Sequence, residues 1–133
     1  MIEAINNNNR IKSLDWGQNH LGFFDNFKLL CKMLLNNKNI TYLNLTYNNL
    51  STSSLELLCE SLNNNKTITI LDLGWNEIGS DELGQDYPDN VDILRRFLLK
   101  NETISLILWD GNCFSYEQWE TMVPNKQTLR RVC

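Results

Sequence analysis

Two patterns of hydrophobic residues alternate along this chain and repeat together. In the first, apolar residues recur at intervals of three and four, which is the stripe of an amphipathic helix. In the second, Leu43 and Leu45 alternate with polar neighbours, which is the period of a β-strand. The helical stripe ends six residues before each strand segment begins. Each unit is therefore predicted to be a short strand, a turn and a helix that lies behind the strand.

The strand segment is an eleven-residue frame with apolar residues at positions one, four, six and eleven and asparagine at position nine. Residues 40–50, ITYLNLTYNNL, show the frame most clearly. It recurs from Ile11, Ile68 and Ile104, where Trp16 and Trp109 replace the leucine at position six of the first and last copies. Four copies in 133 residues predict a repeat array with a continuous core.

The helical stripe precedes three of the four frames. Its apolar residues stand 13, 10 and 6 positions before the frame, and they predict helices over about 23–35, 53–63 and from 91 onward. Ser51 and Thr52 offer N-cap oxygens to the second helix. An asparagine-rich run follows each of the first two helices, and we expect it to close them because asparagine tolerates the left-handed backbone.

The repeats depart from regularity at three places within a single predicted domain, residues 1–133. Residues 1–10 fit the end of a helix, which is either a short cap or the cut end of a longer array. Frames start at 11, 40, 68 and 104, and a partial repeat is predicted from 129. A loop insertion at 79–90 lengthens the third repeat to 36 residues. Both a functional loop and a tolerated insertion are consistent with it.

The frame and its spacing of 28 to 29 residues resemble the leucine-rich repeat, in particular the ribonuclease-inhibitor-like class, which also occurs in NOD-like receptors and in GTPase-activating proteins of nuclear transport. The resemblance covers almost the whole chain. It implies an α/β solenoid, a horseshoe arc of about four and a half repeats, with a parallel β-sheet on the concave face and α-helices on the convex face. It also implies a ladder of asparagines at the corner after each strand: Asn19, Asn48, Asn76 and Asn112.

Composition excludes several classes of function. The net charge of −4 and the lack of a basic patch argue against nucleic-acid binding. No apolar run has membrane-spanning length, and the first residues are not a signal peptide. With one histidine and no C-x-x-C, no metal, cofactor or catalytic constellation is predicted. Cys31 and Cys59 hold the same slot in successive repeats, which is too far apart for a disulfide, so free thiols in the reducing cytoplasm are predicted. A monomer is expected.

The variable positions of the frame are predicted to form the binding surface on the concave face. Tyr47 and Trp75 share the eighth position in adjacent strands, about 4.8 Å apart, and Tyr42 lies nearby. Exposed Tyr and Trp are typical anchors of protein interfaces, although these two could instead shield the turn and the asparagine ladder. The candidate partner-binding residues, including those chosen for charge, are Asp15, Tyr42, Asn44, Tyr47, Asp72, Trp75, Glu77 and Asp110.

Charge at these positions indicates which class of partner protein would bind. The twenty variable positions of the four strands hold four acidic residues and neither lysine nor arginine. Such a face favours a basic or amphipathic protein partner, unless it is only the solvated surface of an acidic protein.

The sequence thus predicts a non-enzymatic protein–protein interaction module, because most members of the resembled class bind proteins. A regulator of a small GTPase and a purely structural repeat segment of a larger protein are the alternatives. The GTPase regulator has less support because no arginine stands on the variable positions of the four strands.

Overall fold

The computed structural model describes residues 2–22, 25–79, 89–113 and 128–130. Five three-residue strands form one parallel sheet in chain order, and helices connect them. Parallel neighbours need a long crossover, which a helix supplies in each repeat. The elements in chain order are α1 (Ile2–Asn7), β1 (Ser13–Asp15), α2 (Asp25–Asn36), β2 (Tyr42–Asn44), α3 (Thr52–Leu62), β3 (Ile70–Asp72), α4 (Asp89–Lys100), β4 (Leu106–Leu108) and β5 (Thr128–Arg130).

The strands pair at equal frame positions, as the repeat predicts. Their central residues form one row across the first four strands, and each is buried: Leu14, Leu43, Leu71 and Ile107. The residues on either side of each centre are half-buried or exposed. The helices therefore cover one side of the sheet. We call the other side, formed by the third and fifth frame positions and the turns that follow them, the open face.

The core lies between the sheet and the apolar stripes of the helices. Phe27, Leu30 and Leu34 of α2 are almost fully buried, and the equivalent residues of α3 pack in the same core. No helix in the part of the chain that the structure describes is long and apolar enough to cross a membrane. α2 and α3 begin and end within two residues of the predicted bounds, since the spacing of buried residues defines both.

Two cysteines occupy equivalent buried slots in α2 and α3. Burial raises the pKa of the Cys31 thiol to about 11, and it also raises the pKa of Cys59. Both are free thiols that stay protonated and pack as small apolar residues, as predicted. Cys113 is free and exposed, whereas Cys133 lies outside the described residues.

Three of the four predicted ladder asparagines, Asn48, Asn76 and Asn112, link the repeats at the corners after β2, β3 and β4, whereas the side chain of Asn19 bonds within its own repeat. Asn48 Oδ1 accepts hydrogen bonds from the backbone N–H groups of Asn19 (3.0 Å) and Leu21 (3.1 Å). Its Nδ2 donates to the Trp16 carbonyl at 2.7 Å. Asn76 and Asn112 make equivalent bonds to the repeat before them. Each rung thus satisfies backbone groups that the turn withdraws from the sheet.

A second asparagine row, which the sequence analysis did not separate from its asparagine-rich runs, closes the corner before each strand. The Oδ1 of each accepts the N–H groups two and three residues later, at 2.8 to 3.0 Å. The prediction that these runs adopt left-handed backbone is wrong, because none of them is among the positive-φ residues that the structure describes. The side-chain amide closes the corner instead. The row is Asn8, Asn37, Asn65 and Asn101.

The predicted capping hydrogen bond at the N-terminus of α3 is also wrong. Ser51 does occupy the N-cap position with extended backbone, but its hydroxyl makes no capping hydrogen bond. It lies 2.9 Å from the Ser53 hydroxyl instead. Thr52 is the first residue of the helix, and its buried Oγ1 has no hydrogen-bond partner.

Two boundaries in the last repeats differ from prediction. α4 begins at Asp89, so the end of the predicted insertion 79–90 belongs to the helix, while residues 80–88 lie outside the described part. Leu129 pairs with Ile107, the fourth frame position, whereas the partial repeat predicted from 129 makes Leu129 the first position. Both positions take a large aliphatic residue, isoleucine at the first and leucine or isoleucine at the fourth, so hydrophobicity alone does not distinguish them.

A candidate protein-binding surface on the open face

The eighth frame position is where each chain segment turns away from its strand with left-handed backbone. Its four residues are Gln18, Tyr47, Trp75 and Gly111, with φ of 60°, 54°, 54° and 69°. Left-handed backbone costs a residue with a side chain about 1–2 kcal/mol, so glycine is the expected residue. Two large aromatic residues at such positions are a strained choice, and strain of this kind clusters at functional sites.

Tyr47 and Trp75 form a stacked pair, which we call the aromatic ridge. Their ring centroids are 5.5 Å apart and their planes differ by 2°. The Trp75 side chain also lies against Gly111, where an added Cβ would come within 2.6 Å of the indole ring. Trp75 is therefore held from two sides. Even so, the two side chains remain 48% and 54% exposed, which is unusual for large aromatic groups in an ordered position.

Polar residues at the tenth frame position run beside the ridge. His20 Nδ1 lies 3.0 Å from Asn49 Oδ1, and Asn49 Nδ2 donates to Glu77 Oε1 at 2.8 Å. These contacts connect three successive repeats on the protein surface. Glu77 is therefore positioned by a neighbouring side chain rather than extended freely into solvent.

The fifth frame position forms an acidic row across β1, β2 and β3, made of Asp15, Asn44 and Asp72 in register. Oδ1 of each accepts the backbone N–H two residues later, at 2.9 to 3.0 Å. Asn44 Nδ2 also donates to Asp15 Oδ1 at 3.0 Å. These residues thus close the ends of their strands, a structural role that the sequence analysis missed. The repeated Asp or Asn two residues before Gly17, Thr46 and Gly74 was the available signal.

The carboxylates of this face are close enough to influence each other. Burial raises the pKa of Asp72, and the charges of Asp110 and Asp15 raise it further, against a lowering by the hydrogen bond from Gly74. Burial likewise raises the pKa of Tyr42, to which Asp72 and Asp15 add. Tyr42, the acidic row and Asp110 therefore form one electrostatic group.

The eight predicted residues fall into two groups on the same face. The aromatic ridge and Glu77 form the first, and Tyr42, Asp110 and the acidic row form the second. Small residues of the seventh frame position, Gly17, Thr46 and Gly74, lie between them in the sequence of each repeat. In the part of the chain that is described, no three His, Cys, Asp or Glu residues are grouped to hold a metal ion.

Comparisons with known proteins agree with this architecture. A family model described as "Leucine Rich repeat" matches residues 36–59 and 64–81. No curated protein sequence matches the chain significantly.

Two solved structures with similar folds carry the same architecture over most of this chain. One is titled "Leiomodin-1 Actin-Binding Site 2"; it has a TM-score of 0.72 and 17% identity, over 91% of this chain and 67% of its own. The other is the C-terminal domain of a Caenorhabditis elegans tropomodulin, with a TM-score of 0.71 and 16% identity, over 91% and 70% of the two chains. At these identities the likeness shows the fold alone, an α/β leucine-rich-repeat solenoid.

Proposed function

Because the chain folds as a leucine-rich-repeat solenoid, we propose that it is a non-enzymatic protein–protein interaction module that binds its partner through the concave, open face of the sheet. The observation that carries this proposal is the aromatic ridge. Tyr47 and Trp75 are half-exposed, stacked and held at backbone angles that favour glycine. The leiomodin-1 structure is titled as an actin-binding site, which supports a protein as the class of partner.

The position of the ridge is a poor one for stability. Left-handed backbone costs each aromatic residue about 1–2 kcal/mol. Stacking returns only about 0.5–1.5 kcal/mol beyond the area that the two rings bury, and about half of each side chain stays exposed. The ridge therefore contributes less to the free energy of unfolding than two fully buried aromatic residues would. Buried Tyr and Trp residues at an interface, by contrast, commonly contribute about 2 kcal/mol or more each to binding. A contact role explains the two residues better than shielding of the asparagine ladder does.

Charge indicates what kind of partner fits this face. The variable positions of β1 to β4 and their turns carry Asp15, Asp72, Glu77 and Asp110 without a lysine or arginine. We therefore expect a basic or amphipathic protein and no nucleic acid. The repeat spacing supports the ribonuclease-inhibitor-like class, and the buried free thiols support a reducing compartment such as the cytoplasm.

The alternatives have less support. A regulator of a small GTPase would need a group that stabilises charge on phosphate, and the described strands β1 to β4 offer no arginine at their variable positions. A purely structural segment would have no reason to hold two aromatic side chains half-exposed at strained backbone.

The test uses a ridge variant that should fold normally. In Tyr47→Gly/Trp75→Gly, relief of left-handed strain at both positions partly offsets the loss of the stack and of the buried half of each ring, and circular dichroism checks that the variant is folded before it is used. Wild-type protein and this variant are used as bait in affinity capture from a lysate of the source cell. We expect the wild type to retain a specific protein. The variant should retain at most about one tenth of that amount, as expected when interface anchors are removed.

The control changes exposed apolar residues on the opposite side. Leu35 and Leu99 are 51% and 62% exposed on α2 and α4. Leu35→Ala/Leu99→Ala should capture the same protein as the wild type does. Full retention by the ridge variant, or loss only in the helix variant, would show that the open face is not the binding surface.

A further inference from the structure

The open face has a definite order of chemical groups along β2. Tyr42 comes first, then Asn44 with a carboxylate on each side of it, then the small Thr46, and finally Tyr47 of the ridge. The flanking carboxylates are Asp15 of β1 and Asp72 of β3. Aromatic groups therefore stand at both ends of a short acidic segment that spans three strands.

The two flanking carboxylates keep capacity for a ligand. Their Oδ1 atoms accept hydrogen bonds from Gly17 and Gly74. Among the described residues, none donates a hydrogen bond to Oδ2 of Asp15 or Asp72. Each Oδ1 bond fixes the orientation of its carboxylate, so the second oxygen is presented with little loss of side-chain freedom.

The electrostatics of this group favour a positive charge beside it. Asp110 and Asp15 both raise the pKa of Asp72, and Asp72 and Asp15 both raise that of Tyr42. When several acidic groups disfavour each other's ionisation, a cation that binds among them stabilises their charged forms. The rings of Tyr42 and Tyr47 on either side add a second attraction, because the face of a tyrosine ring attracts a cation.

We propose that the open face docks an arginine-bearing basic segment of a partner protein across β1, β2 and β3, with guanidinium groups at the carboxylates of Asp15 and Asp72, beside the aromatic ridge. This inference rests on the proposed function and specifies its partner. Arginine fits better than lysine because its planar group binds a carboxylate through two parallel hydrogen bonds and stacks on an aromatic ring. Only the docking segment needs to be basic, so the net charge of the whole partner protein is not specified.

The repeats themselves show that asparagine can replace aspartate at the fifth frame position. Asn44 holds the same frame position as Asp15 and Asp72 and closes its turn with the same Oδ1 bond. Asp15→Asn/Asp72→Asn therefore removes two charges and keeps both turns closed. Asn44→Asp adds a charge at the central position. Glu56→Gln, at an exposed position on α3, is the control and removes one charge on the helical side.

The probe is the peptide Ac-Ala-Arg-Ala-Arg-Ala-amide, titrated to millimolar concentration into ¹⁵N-labelled protein and followed by amide chemical shifts. Matched peptides replace arginine by lysine or by citrulline, which is neutral and similar in shape. We expect the arginine peptide to shift the amides of Gly17, Thr46 and Gly74. Lysine should bind about fivefold more weakly, and citrulline should not bind.

Among the variants, Asp15→Asn/Asp72→Asn should lose at least about tenfold in affinity for the arginine peptide, Asn44→Asp should gain, and Glu56→Gln should match the wild type. Equal binding of the citrulline peptide, shifts scattered over the helices, or no shifts at all would overturn the inference. If the ridge variant loses the captured protein while Asp15→Asn/Asp72→Asn retains it, the inference fails and the proposed function stands. If both variants retain it, both fail.

Discussion

Asp72 shows how a single residue serves both the fold and the surface. Its Oδ1 accepts the Gly74 N–H at 3.0 Å, which lowers the pKa of the carboxyl. Burial and the charges of Asp110 and Asp15 act in the opposite direction and prevail, so its pKa is raised. The folded state therefore binds a proton at this site more readily than the unfolded chain does.

This difference predicts how Asp72→Asn changes stability with pH. Between the ordinary pKa of 3.8 and the raised value, the folded state binds more protons, so the free energy of unfolding falls as pH rises through this window. At neutral pH the variant should be more stable than the wild type, by less than about 1 kcal/mol because the site is half-exposed and screened. The difference should vanish as pH is lowered towards 3.8. Thermal unfolding followed by circular dichroism measures it.

Glu60→Gln on α3 is the control for this measurement, since it removes one exposed charge away from the open face. A variant Asp72→Asn that is less stable than the wild type at neutral pH would contradict the account. So would a stability difference that does not change with pH.

At this scale the sequence predicted which residues would be buried and which would share the open face, because register follows from the frame. It did not predict the backbone of Tyr47 and Trp75. Aromatic residues disfavour left-handed φ, so propensity pointed away from the observed conformation. Gly111 at the same frame position was the one residue whose identity signalled it.

At the scale of elements, two asparagine rows join each helix to the next strand and each strand to the next turn. The row after the strands was predicted from the frame and includes Asn48 and Asn76. The row before the strands, which includes Asn65, lies in the asparagine-rich runs for which the sequence predicts left-handed helix caps. Its constant place, three residues before each frame, is the pattern that distinguishes a side-chain role from a general preference of asparagine for turns.

Position in the array predicts how much each ladder asparagine stabilises the protein. Asn76 is 5% exposed; it accepts two backbone N–H groups of the second repeat and donates to the carbonyls of Leu45, Leu73 and Gly74. Each buried group left unpaired costs about 1–3 kcal/mol, so Asn76→Ala should lower the free energy of unfolding by about 3–5 kcal/mol. Urea denaturation measures the change.

Asn19 provides the comparison within the same ladder. It is exposed, and its side chain donates only to Gly17 of its own repeat. Asn19→Ala should therefore cost less than about 1 kcal/mol. Equal losses in the two variants would show that the bonds between repeats do not stabilise the array as described.

At the scale of the whole molecule, the fold was predictable because every repeat gives the same answer. One period specifies strand, corner and helix, and stacking the copies buries a continuous core. Prediction failed where a repeat differs from the others. The predicted insertion includes two residues that belong to α4. The sequence also predicts Leu129 at the first frame position, whereas it occupies the fourth. Pairing across the sheet, rather than hydrophobicity, decides such cases.

The same architecture divides the molecule into a helical side and an open side, and the central claim is that the partner contacts the open side. Hydrogen–deuterium exchange of the protein with and without its captured partner tests this most directly. We predict that the partner slows exchange in the turns at residues 46–49 and 74–77, next to the aromatic ridge, and leaves the amides of α2 and α3 unchanged. Slowed exchange confined to the helices, with those two turns unaffected, would contradict the account.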